Sequence, residues 1–303
     1  MIKSSWIPEV QSYLTPGVKN MTQQTPFQTS WFLQTFADNF IQKDYPIDMS
    51  FPFEKVGATL IFLGMRKVMG KEEVTDYGDA DIDPALLLQK TKEMGCLEIV
   101  LDYVREDSHL YHYFNTQKNG TIHLQEVSPF IQLPQTWNTY LETLDRVERK
   151  ELKRKLKRLE TIPYSFEVFS SNNEEAFSEL IKLHKLSNTH KDTFMSPEME
   201  NFFYDLGQVP KVDWQMAIAT LKIKNKYVAA ILFFENNTTA MLYNSGYDPA
   251  YKYYSNGLML HALLIKRNME KGLKVHDFLR GKERYKYDLG GKDLNLYKIS
   301  ITL

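Results

Sequence analysis

YNSGYDPAYKYYSNG (residues 243–257) leads into an apolar run and then into VHDFLRGKERYKYDLGG (275–291). An aromatic strand, a glycine turn opening a helix, a second strand and a basic-aromatic loop follow one another. That order builds a cleft in which backbone N–H groups face an anionic ligand. Ser255 or Asn256 is placed to cap the helix, and Gly257 lets a ligand approach its unpaired first-turn amides, from Ser255 to Leu258. A pyrophosphate fits such a place. A glycine at a helix start is by itself equally the mark of an ordinary capped helix. The strand before it adds a second signal. Gly246 and Asp248-Pro249 stop that strand early, so it splays from its neighbour and leaves edge amides near Leu242 and Tyr243 for an amide-rich ligand.

The loop after the second strand crowds Arg280, Lys282, Glu283, Arg284, Tyr285, Lys286 and Asp288 between Gly281 and Gly290-Gly291. Mixed acid, base and phenol groups on a glycine-flanked loop mark a site more often than a scaffold. The histidines do not make a metal site. His109 and His112 are three apart on an expected strand and so point to opposite faces, while His123 lacks an acidic or cysteine partner in register. There is no G-x-S-x-G elbow, and Cys96 at a strand start has no activating pattern around it.

Composition sets the outer limits. A chain of 303 residues is long enough for two domains of about 150 or one elaborated α/β unit. Hydrophobic residues at 43% and charged residues at 25% are the balance of a globular protein, and a net charge of −1 leaves no global field for DNA or an anionic membrane. Any anion site must therefore be local. A single cysteine excludes an internal disulfide. No apolar run approaches the length of a membrane span, and residues 1–25 lack a signal-like apolar core, so a cytoplasmic protein with no membrane insertion is expected.

Along the chain, residues 26–40 read as a core-facing helix, 55–68 as a buried strand, 83–95 as a helix ended by Gly95 and 96–104 as the next strand. HLYHYFN and TIHLQEV read as a hairpin around Asn119-Gly120. Residues 137–160 read as one long amphipathic basic helix. Its glutamates Glu148, Glu151 and Glu160 interleave with the bases, which favours a solvated linker over a polyanion site. Strand and helix alternate again from SFEVFS to LNLYKISI. The expected class is α/β with mixed sheets, in two related halves. The division is an arm (1–25), a first half (26–135), a joining helix (136–160) and a second half (161–303).

DRVERKELKRKLKRLE, LIKLHK, VAAILFF, YNSGYDP, the SNG helix start and HDFLRGKERYKYDLG follow in an order that resembles GNAT-fold acetyltransferases of the CelD, cellulose-biosynthesis-associated type. Those proteins are themselves similar to Fem-type aminoacyl transferases. The resemblance covers about residues 140–291, and FLGMRKVMGKEEVTDYGDADID upstream looks like the first half of such proteins. It implies tandem GNAT-like halves with a cleft between them and acetyl-CoA or another acyl-CoA as co-substrate on the second half, with no metal. Asn256 stands where many relatives have proline, which is expected to relax the loop.

Acyl transfer to an amine needs a neutral amine, a stabilised tetrahedral oxyanion and a proton for the departing thiolate. The resemblance gives Lys286 to oxyanion or phosphate stabilisation, Tyr285 and Tyr287 to proton donation, and Asp277 or Glu283 to the amine proton. Leu242, Tyr243, Ser255, Asn256, Gly257 and Leu258 fall to the donor. Asp76, Tyr77, Asp79, His184, Tyr247 and Arg280 fall to an acceptor amine on a small molecule, sugar or peptide. The alternatives are a Fem-type transferase taking its acyl group from aminoacyl-tRNA, with the basic helix on the tRNA, and an inactive acyl-CoA-binding protein.

Overall fold

The computed structural model describes residues 24–70, 73–117, 119–187, 193–210 and 212–303, so nearly all of the arm lies outside the described residues. Among the described residues ten strands form one mixed sheet in the order β1-β2-β3-β10-β4-β9-β8-β7-β6-β5. The strands are β1 (Phe53–Val56), β2 (Thr59–Phe62), β3 (Glu98–Arg105), β4 (Gly120–Gln132), β5 (Tyr164–Ser170), β6 (Gln215–Ile223), β7 (Lys226–Glu235), β8 (Thr239–Tyr247), β9 (Val275–Asp277) and β10 (Lys292–Thr302). Nine α-helices of the described residues cover its faces: α1 (Ser30–Phe40), α2 (Pro84–Glu93), α3 (His109–Phe114), α4 (Trp137–Thr143), α5 (Arg146–Leu159), α6 (Glu174–Ser187), α7 (Pro197–Gln208), α8 (Asn256–Glu270) and α9 (Arg284–Asp288).

From β1 to β7, eight adjacent strands of the sheet, the order reads the same from both ends. A hairpin, a helix crossing to a parallel strand, a short helix and a long strand occur as β1-β2-α2-β3-α3-β4 and again as β7-β8-α8-β9-α9-β10. Parallel neighbours need a crossover, which α2 and α8 supply to β2–β3 and β8–β9. Each unit then gives its last strand to the other: β10 lies beside β3, and β4 lies beside β9. The two exchanged strands pair antiparallel at the centre, where Asn295 faces Val127. Around that pair Glu106 N–H donates to Asn295 O (3.0 Å) and Gly281 N–H donates to Val127 O (3.1 Å), the same bond made twice about a local twofold. The expected mixed α/β class with two related halves is borne out, as one continuous sheet.

Alternation along the strands fills a core on each face. In β7, Ala230, Leu232 and Phe234 join α1, α6 and α7 on one side, while Ala229, Ile231 and Phe233 join α4, α5 and α8 on the other.

Four local expectations are corrected. The buried strand at 55–68 is the β1–β2 hairpin, turned at Gly57 with φ of 63° and followed by a 3-10 turn at Leu63–Met65. HLYHYF is the helix α3, because the Ser108 hydroxyl accepts from Tyr111 N–H and starts a turn. His109 and His112 therefore share a helix face, and among the described residues no histidine, cysteine and carboxylate group is arranged to hold a metal ion. The joining helix is two helices, broken where Leu144 turns extended. The second of them, α5, is no solvated linker: Leu152 and Leu159 are buried against the core that α8 shares.

Helix α6 lies directly on β8. A Cβ on Gly246 would fall inside the backbone of Leu183 and His184. Replacing Gly246 with Ala should force helix and sheet apart and lower stability by about 2–3 kcal/mol. A urea midpoint equal to that of the parent would show that α6 moves away freely.

Candidate active site between the two halves

Strands β8 and β9 pair only over Thr239–Met241 and Val275–Asp277. Beyond Met241 they part, because β9 ends at Asp277 while β8 runs on past Gly246 to Tyr247, still paired with β7. In β8 the pairing with β7 shifts between Leu232 and Phe233, so that Tyr243 is an extra, bulged residue at the point of parting. Into the mouth of this gap comes residues 73–79 of the first half. The Tyr243 hydroxyl donates to Val74 O (2.6 Å) on one side of the mouth. On the other side the Arg280 Nε donates to Asp76 (2.7 Å) and its Nη1 to Glu73 (3.0 Å), with the guanidinium 3.8 Å from the Tyr103 ring centroid.

Deeper in, Tyr77 is fully buried and its hydroxyl donates to Asp277 Oδ2 (2.6 Å); Ser128 Oγ donates to the other carboxylate oxygen (3.1 Å), and so does Leu279 N–H (2.8 Å). Asp79 takes a forked pair of bonds from Arg105 (3.1 and 2.7 Å), whose guanidinium also lies against the Tyr77 ring. Arg105 ends β3 and Arg280 follows β9 at the twofold-related position, and both hold carboxylates of the same short stretch.

The structure thus brings Asp76, Tyr77 and Asp79 together with Asp277 and Arg280. It adds Glu73, Tyr103, Arg105 and Ser128, which the sequence reading missed. The parallel of VRED at the end of β3 with LRGK after β9 is the signal that points to Arg105.

Lys286 is almost fully buried. Its ammonium donates to the carbonyls of Leu279 (2.9 Å), Arg280 (2.6 Å) and Gly281 (3.1 Å), and Glu283 stands 2.9 Å away. All three protons are engaged, so in this arrangement the ammonium holds a loop and has none to offer an oxyanion. Tyr285 turns inward and stacks on His261 at 4.6 Å, and burial pushes its phenol well above the usual range. The Tyr287 hydroxyl donates to Asp293 (2.8 Å), and burial and that bond hold its phenol at about 12. Neither phenol is tuned as an acid for neutral pH.

At the start of α8, Ser255 has left-handed backbone (φ 53°) and makes no side-chain cap. Asn256 does not cap either, and the expected relaxation of the loop is corrected. Its Nδ2 donates to Val228 O (2.6 Å) and Asp248 O (3.0 Å), which ties the loop to the end of β8. Tyr247 lies over Gly257, where an added Cβ would stand 3.3 Å from its ring, which places it beside the first turn of α8. Leu242 is buried in the core, and Leu258 is half-buried in the first turn of α8. His184 is buried on α6 against Gly246, with Phe194 beside its ring at 6.0 Å.

With this geometry described, the chain can be set beside known proteins. Residues 146–287 match a family model described as an acetyltransferase (GNAT) domain. The second half carries a GNAT acetyltransferase match. No curated protein sequence matches the chain. Among solved structures, FemX superposes with a TM-score of 0.59 at 12% identity, over 92% of each chain. L-PGS from Bacillus licheniformis gives 0.54 at 16% identity, over 82% of this chain and 79% of that one. The C-terminal domain of a putative lysylphosphatidylglycerol synthetase from Agrobacterium fabrum gives 0.53 at 10%, with the same coverage. At these identities the likeness is one of fold.

Two outcomes follow from the buried charges. Burial pushes the Asp277 carboxyl up to about 6, against hydrogen bonds from Tyr77, Leu279 and Ser128 that pull it down. A raised folded-state value means the fold favours the protonated acid: its stabilising share is complete below the unfolded value of 3.8 and fades as pH rises through about 6. Asp277→Asn should therefore gain on the parent between about pH 4 and about pH 7, by up to about 3 kcal/mol, in urea midpoints measured across that range. A constant difference would show that Asp277 does not titrate there. Lys286→Met removes one buried cation and strands three carbonyls, so it should cost about 3 kcal/mol of stability rather than a modest amount. A melting temperature within a degree or so of the parent's would contradict the cage.

Proposed function

We propose that the chain is an N-acyltransferase that moves an acyl group, acetyl in the simplest case, from acyl-CoA to an amine of a small molecule, sugar or peptide. The observation that carries this reading is the parting of β8 from β9 beside the uncapped first turn of α8. The donor's amide-rich arm would lie along the freed edge of β8 near Leu242 and Tyr243. Its pyrophosphate would meet the amides from Ser255 to Leu258, where partial positive charge collects. The acyl carbon would then come to the mouth lined by Tyr243, Arg280, Asp76 and Tyr103, with the amine entering from the first half. Asp76 and Glu73 supply negative charge that suits an incoming ammonium. Lys286 acts as a positioning residue through the backbone of residues 279–281, and Asp277 through Tyr77. The division at residues 136–160 and a cytoplasmic location belong to the same proposal, with β10 crossing back into the first half.

A second reading, an aminoacyl-tRNA donor as in Fem-type transferases, draws support from the basic helix α5 packed beside the same turn. Retention of charged tRNA that falls steeply with salt, without acyl-CoA binding, would favour it. Binding of acyl-CoA with no turnover of any amine would instead favour an inactive binding protein.

The direct test is donor binding. Acetyl-CoA should raise the melting temperature of the parent protein. Gly257→Val should abolish that shift while leaving the unliganded melting temperature close to the parent's. The nearest atoms to the new Cβ belong to the movable Tyr247 side chain, and the added methyls cover the first turn of α8. An undiminished shift in the variant would remove this turn as the donor site.

A further inference from the structure

Helix α5 carries its leucines and its charges on different sides. Leu152, Leu156 and Leu159 face the core. At 3.6 residues per turn, Arg146, Arg149, Lys150, Lys153, Arg154, Lys157 and Arg158 fall on one continuous arc of roughly half the circumference. Glu148 and Glu151, which interleave with these bases in the sequence, fall on the flank between that arc and the leucines. The side chains of the arc are exposed at Arg146, Lys150, Lys153, Arg154 and Lys157. The net charge of the whole chain is −1, so this is a local concentration of positive charge.

Its place is specific. The helix packs against α8 and against the 3-10 turn Pro249–Tyr254 that precedes it. Near the C-terminal end of α5, Arg158 Nη1 donates to Tyr253 O (2.7 Å) and the guanidinium sits 4.5 Å from the Tyr253 ring centroid. One turn earlier, exposed Arg154 is held by a forked ion pair with Glu151 (3.2 and 2.6 Å) on the outer side of the helix. Tyr253 is 64% exposed, two residues before Ser255 and the first turn of α8. An exposed aromatic ring backed by a guanidinium is a stacking platform for a purine base. Exposed bases next to it suit a phosphate beyond the base.

We propose that Tyr253 and the last two turns of α5 bind the nucleotide end of the donor, an adenosine carrying a 3′-phosphate, with the base on Tyr253 and the phosphate at Arg154 and Lys157. This rests on the acyl-CoA reading above. It extends the donor's track from the start of α8 outward across the turn to a helix that lies outside the strand-and-helix unit of the second half. The basic arc is thus part of the donor site, and two of its exposed bases, Arg154 and Lys157, read the 3′-phosphate.

The test is titration calorimetry with CoA, with CoA lacking the 3′-phosphate and with pantetheine. The proteins compared are the parent, an Arg154→Ser/Lys157→Ser variant and Tyr253→Ala. The parent should bind CoA about tenfold more tightly than the dephosphorylated form. The double variant should bind the two alike, with the affinity for the dephosphorylated form unchanged within about twofold. Tyr253→Ala should weaken both about tenfold without touching their ratio. Equal binding of the two forms by the parent, or a preference that survives in the double variant, overturns the proposal and leaves the acyl-CoA reading standing. No binding of any of the three by the parent overturns both. Salt-dependent tRNA retention that the double variant loses, while the CoA preference stays, assigns the arc to tRNA and likewise ends the proposal. All substituted side chains are exposed, so circular dichroism and melting curves matching the parent's are expected throughout.

Discussion

Residues 73–79 are held by two arginines that the fold places in equivalent positions. Arg280 takes Glu73 and Asp76, Arg105 takes Asp79, and Tyr77 reaches between them to Asp277. Taking charges of this kind out of water is costly, and the cost is offset only where hydrogen bonds are nearly complete. Here Asp277 accepts three bonds and Asp79 accepts a forked guanidinium. The halves are therefore fixed in relative position by polar bonds that admit one register, in addition to apolar packing. The mouth of the β8–β9 gap owes its shape to that register, since Tyr243 and Arg280 both grip the same stretch from opposite sides.

Much of the second half was legible because its signals are local. The end of β8 before Asp248-Pro249, the helix starting near Asn256 and the turn at Lys224-Asn225, where both residues have positive φ, sit in a few neighbouring residues each. HLYHYF was misread because six residues rich in aromatics fit either period, and only the Ser108 cap decides between them. The break at Leu144-Asp145 was missed for a similar reason: the leucine spacing runs through it almost unbroken.

The candidate site was legible in its parts but not in its bonds. Asp76, Tyr77, Asp79, Asp277 and Arg280 were all singled out, yet nothing within the chain says that Arg105 would claim Asp79 or that Ser128 would reach Asp277. The Ser128 bond comes from β4 crossing to lie beside β9, a long-range event that leaves no trace in local periodicity. Lys286 shows the opposite failure. A lysine in a glycine-bounded loop looks free to act at a distance, whereas its ammonium is enclosed by the carbonyls of the very turn that leads to it.

The exchange of strands also orders events during synthesis. β10 occupies the middle of the sheet although every other strand precedes it in the chain. While the ribosome is still producing residues before 292, the slot between β3 and β4 stands empty, and each borders it with unpaired amides and carbonyls. Contacts across such a sequence separation form slowly, and open strand edges invite pairing with another nascent chain. A chain built this way gains its two-sided cleft at the expense of a period, before its central strand emerges, in which neither half has a finished sheet to shelter it.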